Sequence, residues 1–352
     1  MAPSVTIPQA GQGRNQGLIT ALSLSIISGQ NLQLEGLVND NPRSKPGLGP
    51  GGYTAAMAAA EICRGETNAE PGATRLEFKP GDVVSGDYTF DVAQLRPNAA
   101  PVSMVLFPLV LPLASADEPS SVFINGGTHV LGGMTSDVLT HIMAPNWRSL
   151  GLDLRYTEIS PGFFPEGNGE AELSVEPCQT IKPLVSQEPF RPLRLGVQIL
   201  TSGLPVHLAE QAQEGAKDRL KLHGLTAETR IRRARGGVGM SLLVWAQGQD
   251  LRVGFTALGY KGGRPEALAN SAVEAMVEFI KSGAAVPAQI AAQLSTTLAC
   301  AQGLSRFTVD KKTPALKAAI QTIEALQPGC TKMHQLRPSS PIEVRIDGFG
   351  LH

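Results

Sequence analysis

The feature that most constrains the fold is a helix-and-strand order that returns three times along the chain. From Leu18 to Ser28, Leu, Ile and Ala alternate with Ser at helical spacing, and the pattern stops at Gly29, a usual helix terminator. Asn31 to Leu37 reads as a strand and the Ala-rich Tyr53 to Cys63 as a second helix. Thr74 to Phe78 and Tyr88 to Val92 read as strands around the turn Lys79-Pro80-Gly81-Asp82. The order recurs as a helix across Ala100 to Ala116, a strand at Ser121 to Asn125, a helix from Thr135 to Leu150, and strands near Leu152 to Ile159 and Glu170 to Val175. It returns with helices at Pro265 to Lys281 and Pro287 to Ala301, a strand at Arg306 to Val309, a helix at Pro314 to Leu326 and a strand at Pro341 to Ile346. Three similar units predict an α/β (α+β) body with pseudo-threefold repetition.

A chain of 352 residues accommodates a large domain and a smaller one. The spacing predicts the large domain over 1–183 and 264–352. A smaller α/β domain is inserted over 184–263, with strands at Leu193 to Leu200 and Met240 to Ala246 and a charged helix from Leu208 to Leu222. An apolar fraction of 42% and a charged fraction of 17% describe an ordinary globular chain. A formal net charge of −1 gives no global drive toward nucleic acid, so any RNA contact must be a local patch.

Met104 to Ala116, the longest apolar run, contains Pro108 and Pro112 and falls short of the roughly 20 residues a membrane helix needs. It reads as a buried helix. Cys63, Cys178, Cys300 and Cys330 are widely separated, so neither a zinc site nor a disulfide framework is expected. The N-terminal Met1-Ala-Pro-Ser lacks the pattern of a secretory signal. Cytoplasm or nucleus is the expected setting, with no membrane or DNA partner.

Several short motifs occur in a fixed order. They are Gly11-Gln12-Gly13-Arg14-Asn15-Gln16 leading into Ala21 to Ser25, Arg43-Ser44-Lys45-Pro46-Gly47-Leu48, Phe78-Lys79-Pro80-Gly81, and Gly126-Gly127-Thr128. Further on come Gly162-Phe163-Phe164-Pro165-Glu166-Gly167-Asn168-Gly169, Leu204-Pro205-Val206-His207, and Ser282-Gly283-Ala284-Ala285-Val286 with Gln293-Leu294. In this order the chain resembles the RNA 3′-terminal phosphate cyclase family. The resemblance implies a body of three α/β repeats with an inserted small domain. It also implies an ATP-dependent chemistry in which a histidine carries AMP to an RNA 3′-phosphate, which closes to a 2′,3′-cyclic phosphate. That chemistry needs a nucleophile, a divalent cation and cationic clamps on phosphate.

At the position matching the family's nucleophilic histidine this chain has Ala315, and alanine cannot carry AMP. Gln12 stands where the family has an acidic residue, Thr20 where it has arginine, Gly51-Gly52 where it has Gln-His, and Ala292 where it has an acid before Gln293. ATP and Mg²⁺ are therefore expected only if cyclase activity is retained. Arg43 and Lys45 are candidate phosphate clamps, or solvated loop cations. Arg230, Arg232, Arg233 and Arg235 form the strongest basic cluster, a candidate RNA contact on a loop or strand edge. His207 matches a family histidine but reads as structural at a helix start. His129, where the family has a polar or acidic residue, is a candidate replacement group and reads first as a surface histidine. Gly162, Gly167 and Gly169 read as a tight turn. Trp245 and Tyr260 are too sparse for a stacking platform.

These residues leave three functions open. One is a cyclase-like protein without the adenylyl chemistry that serves RNA processing by binding RNA or a protein partner. The second is an active divergent cyclase using His334 or His129. The third is an enzyme repurposed for a small molecule in a less polar cleft.

Overall fold

The computed structural model describes residues 4–8, 14–37, 47–94, 98–335, 337–338 and 340–351. The first module comprises β1 (Ser4–Pro8), α1 (Arg14–Ser28), β2 (Asn31–Glu35), α2 (Pro50–Ile62), β3 (Glu66–Thr67) and β4 (Arg75–Lys79). The second comprises β5 (Asp87–Asp91), α3 (Val102–Ala114), β6 (Ser120–Gly126), α4 (Ser136–Val138), a π-helical turn over Leu139–Met143, α5 (Ala144–Ser149), β7 (Leu154–Ser160) and β8 (Gly169–Val175). The third opens with β9 (Val185–Ser186) and is then interrupted by β10 (Arg194–Ser202), α6 (Val206–Leu222), β11 (Glu228–Ala234), β12 (Gly239–Gln247), β13 (Arg252–Leu258) and α7 (Pro265–Ser282). It resumes with α8 (Ala288–Ala299), β14 (Gln302–Val309), α9 (Pro314–Leu326), β15 (Thr331–Gln335) and β16 (Ile342–Phe349).

The three modules share one topology. Their sheets run β1-β2-β4-β3, β5-β6-β8-β7 and β9-β14-β16-β15. In each, the first pair is parallel and the other pairs are antiparallel. A parallel pair needs a crossover, and a helix supplies it in the first two modules. In the third, the crossover also carries the inserted sheet, ordered β11-β10-β12-β13.

The strands expected at Thr74 to Phe78 and Tyr88 to Val92 are present but lie in different sheets, β4 inside the first and β5 opening the second. The leading strands β1 and β9 escape sequence reading. β9 has only two residues, too few to show alternation.

The helices form the interior. Every residue of α3 is buried, Pro108 and Pro112 included, and α1 packs on α3, α8 and α9. The strands alternate instead: β4 is buried at Leu76 and Phe78 and exposed between them, the pattern of a sheet with one wet face. The 184–263 division remains a proposal about folding units. In the structure β9 pairs with β14, and α7 packs on α6, β12 and β13.

Leu106, fully buried on α3, sits where truncation leaves a cavity that its neighbours cannot collapse to fill. Leu106→Ala should destabilise the protein by about 2–5 kcal/mol, measured as a shift in the denaturant midpoint; an unchanged midpoint would contradict the helix-centred core.

Candidate functional site

The starts of three helices meet at a cleft of about 140 Å³. Asn15, Gln16 and Ile19 come from α1, Ser103, Met104 and Phe107 from α3, and Ala315 from the first turn of α9. Gln293 of α8 and Gly132 and Gly133 of the loop after β6 complete the wall. Helix N-termini present unpaired N–H groups and partial positive charge, an environment that suits an anion. Yet none of these lining side chains is charged.

Neutral hydrogen bonds run beneath the cleft. Gln293 Nε2 donates to Gln16 Oε1, Gln16 Nε2 donates to Thr20 Oγ1 at 3.3 Å, and Thr20 Oγ1 lies 2.8 Å from Thr296 Oγ1. Thr20 is thus fully buried and satisfied. Gly51 and Gly52 are buried in α2. A Cβ on Gly51 would lie 3.0 Å from Met104 Sδ, and one on Gly52 would lie 2.8 Å from Leu48 Cδ1. Side chains at these positions would have to displace the apolar groups now filling the space. Ala292 is buried on α8. Gln12, Arg43 and Lys45 lie outside the described residues.

Among the described residues these groups supply neither cations for a triphosphate nor carboxylates for a divalent cation. The described lining offers no histidine and no cationic clamp, and its volume is below the several hundred Å³ of typical ligand pockets. Among the described residues no three His, Cys, Asp or Glu side chains come together as a metal site.

A second cluster lies at the junction of the second module and the inserted sheet. His129, expected at the surface, is instead 1% exposed. Its Nε2 lies 3.1 Å from Asp137 Oδ2 and its Nδ1 3.2 Å from Glu158 Oε2. Arg232 reaches from β11 to Glu158 Oε1 at 2.6 Å and Asp137 Oδ1 at 3.5 Å. Phe163 stacks on the imidazole with ring centroids 5.2 Å apart. Burial alone would depress the imidazole, but the Asp137 and Glu158 carboxylates overcome it and hold His129 up to about 9. Burial would raise Glu158, but His129 and Arg232 hold it down to about 2. His129 is therefore an imidazolium locked between carboxylates, with no free lone pair for nucleophilic attack.

The arginine run is divided by strand geometry. Arg230 and Arg232 lie on one face of edge strand β11 and Arg233 on the other, with Arg235 beyond its end. His207 is exposed in the first turn of α6, and His334 is exposed on β15; neither lines the cleft. Gly162, Gly167 and Gly169 make a close backbone approach, where a Cβ on Gly162 would sit 2.3 Å from Gly167 O. Sequence reading missed Asp137 and Glu158, whose only signal is their convergence on His129 in space.

An α/β body of three like modules, with a cleft at converging helix starts and a sheet inserted in the third module, defines the structural class. The family model for RNA 3′-terminal phosphate cyclases matches residues 10–332. Proteins named RNA 3′-terminal phosphate cyclase from Salmonella paratyphi C and Pseudomonas fluorescens are 33% and 34% identical, covering 93% and 90% of this chain and 93% and 90% of their own. One of the same name from Pyrobaculum neutrophilum is 29% identical and covers 96% of this chain and 97% of its own. The chain belongs to the RNA 3′-terminal phosphate cyclase family.

The junction makes stability depend on pH with a definite sign. His129 is raised above its ordinary 6.5 to about 9, so its stabilisation is complete below about pH 6.5 and is lost as pH rises through about 9. The melting temperature of the wild type should fall over that window, while His129→Asn should melt lower overall but with a flatter profile. Parallel profiles for the two proteins would rule out an ionised His129.

Proposed function

We propose that this protein keeps the cyclase scaffold, does not carry AMP on residue 315, and serves RNA processing by binding RNA, alone or with a protein partner. The supporting observation is Ala315 in the first turn of α9, facing a cleft whose described lining is uncharged. Adenylyl transfer needs a nucleophile there, and a phosphoanhydride needs cations to offset its charge. The alternative histidines do not favour an active cyclase: His129 is held protonated in the interior, and His334 is away from the cleft. The names of the relatives make RNA the favoured partner. Four free cysteines agree with a reducing compartment, cytoplasm or nucleus, and among the described residues no helix is long and apolar enough to cross a membrane.

The test is end-group analysis of a 3′-phosphorylated RNA incubated with the protein, ATP and Mg²⁺, beside a relative named as a cyclase. The RNA should bind and be recovered with its terminal phosphate still removable by phosphatase. Accumulation of phosphatase-resistant 2′,3′-cyclic ends would sink the proposal.

A further inference from the structure

The inserted sheet turns one face toward the second module, and strand register sets which side chains share it. Arg194, Gln247 and Arg252 lie side by side across β10, β12 and β13, and Gly196, Trp245 and Gly254 form the next row on the same face. Arg230 lies in the row after that, opposite Gln198. A Cβ on Gly254 would lie 3.0 Å from Ile142 Cδ1 in the π-helical turn, so this is the face that meets the second module. Asn146 of α5 secures the contact: its Nδ2 donates to Arg252 O at 2.9 Å and its Oδ1 accepts from Arg252 N at 2.8 Å. Exposed Arg148, two residues on, is thereby brought beside Arg252.

Three guanidinium groups from separate elements, Arg148, Arg194 and Arg252, stand near enough for the first two to act on the third, and Arg230 lies two rows further along the same face. Arg252 is held over Trp245, 5.9 Å from its ring centroid. The indole can lie against β10 because residue 196 is glycine; a Cβ there would be 2.3 Å from Trp245 Cε2. The facing acid is Glu228, which pairs with Arg194 at 3.1 Å. Arg148 and Arg230 make no ion pair or side-chain hydrogen bond among the described residues. Burial, with Arg148 and Arg194 adding to it, pushes the Arg252 guanidinium down. Burial also holds His141 down, against the pull of Asp137 and with Arg232, Arg252 and Arg230 opposing its protonation. In a chain of net charge −1, this local excess of like charge is relieved by an anionic ligand.

We propose that the open rim of this face, where Arg148, Arg194 and Arg230 are exposed beside the half-buried Arg252, binds the phosphate backbone of a single-stranded RNA. The inference rests on the RNA-binding reading above and adds the site. Guanidinium groups match phosphate geometry. The sparse aromatics fit recognition of backbone charge rather than stacked bases.

The experiment is fluorescence anisotropy of a labelled single-stranded RNA titrated with protein across a series of KCl concentrations. The proteins compared are the wild type, an Arg148→Glu/Arg194→Glu variant and a charge-matched Arg75→Glu/Arg345→Glu control on other sheets. The patch variant should bind at least about tenfold more weakly and lower the salt slope by about 1 to 2, while the control binds as wild type. If the double variant melts early, Arg230→Gln, exposed and unbonded, should still lower the slope. Equal loss in patch variant and control, or no loss in either, overturns the site while leaving RNA binding standing. Failure of the wild type to bind RNA overturns both.

Discussion

The arrangement of the second module depends on one buried charge cluster. His129, Asp137, Glu158 and Arg232 bring two cations and two carboxylates together, so the site is neutral overall and each member has an opposite charge within 3.5 Å. Breaking such a cluster by removing one partner leaves an uncompensated buried charge, which is why its members act as a unit. Three of them belong to the second module and Arg232 to the inserted sheet, so the cluster is also the tie between the two. Thr128 extends it: its Oγ1 lies 3.0 Å from His129 Nδ1 and accepts from Gly162 N at 2.8 Å. The loop that leaves this anchor carries Gly132 and Gly133 into the wall of the cleft.

From that tie follow two surfaces of opposite character. The described lining of the cleft at the helix starts is uncharged: Thr20 is satisfied by Thr296, Met104 fills the space beside Gly51, and Ala315 contributes only a methyl group. The rim of the inserted sheet beside the tie carries charge, with Arg252 of β13 over Trp245, Arg148 of α5 and Arg194 of β10 acting on Arg252, and Arg230 of β11 further along the same face. A triphosphate at helix ends needs cations beside the N–H groups to offset its charge, whereas guanidinium groups on a sheet rim and a neighbouring helix suit a long polyanion. The pairing of a neutral cleft with a cationic face makes binding without adenylyl transfer a coherent account of the molecule.

Much of the body was legible in the sequence because helical periodicity and turn residues are local signals. The helix Pro314–Leu326 is found where the spacing puts it, and the all-apolar run that becomes α3 is buried throughout. The leading strands β1 and β9 were not legible, β9 having only two residues, and β5 was legible as a strand but not as the opening strand of the second sheet. Motif order singled out Ala315, but its place in the cleft wall became legible only in the structure. The environment of His129 was not legible, because Asp137, Glu158 and Arg232 come from separate elements and nothing local marks them as partners. The arginine run misled in the opposite way: neighbours in sequence are placed on opposite faces by strand alternation, while distant Arg148, Arg194 and Arg252 are brought together.

The central claim is that residue 315 and the cleft around it form no covalent AMP adduct. The direct measurement is to incubate the protein with ATP radiolabelled at the α-phosphate and Mg²⁺, denature it, and count label retained on the polypeptide. The account predicts no retained AMP while a family member with the histidine is labelled in parallel; stoichiometric label on this chain would contradict it and require a nucleophile elsewhere.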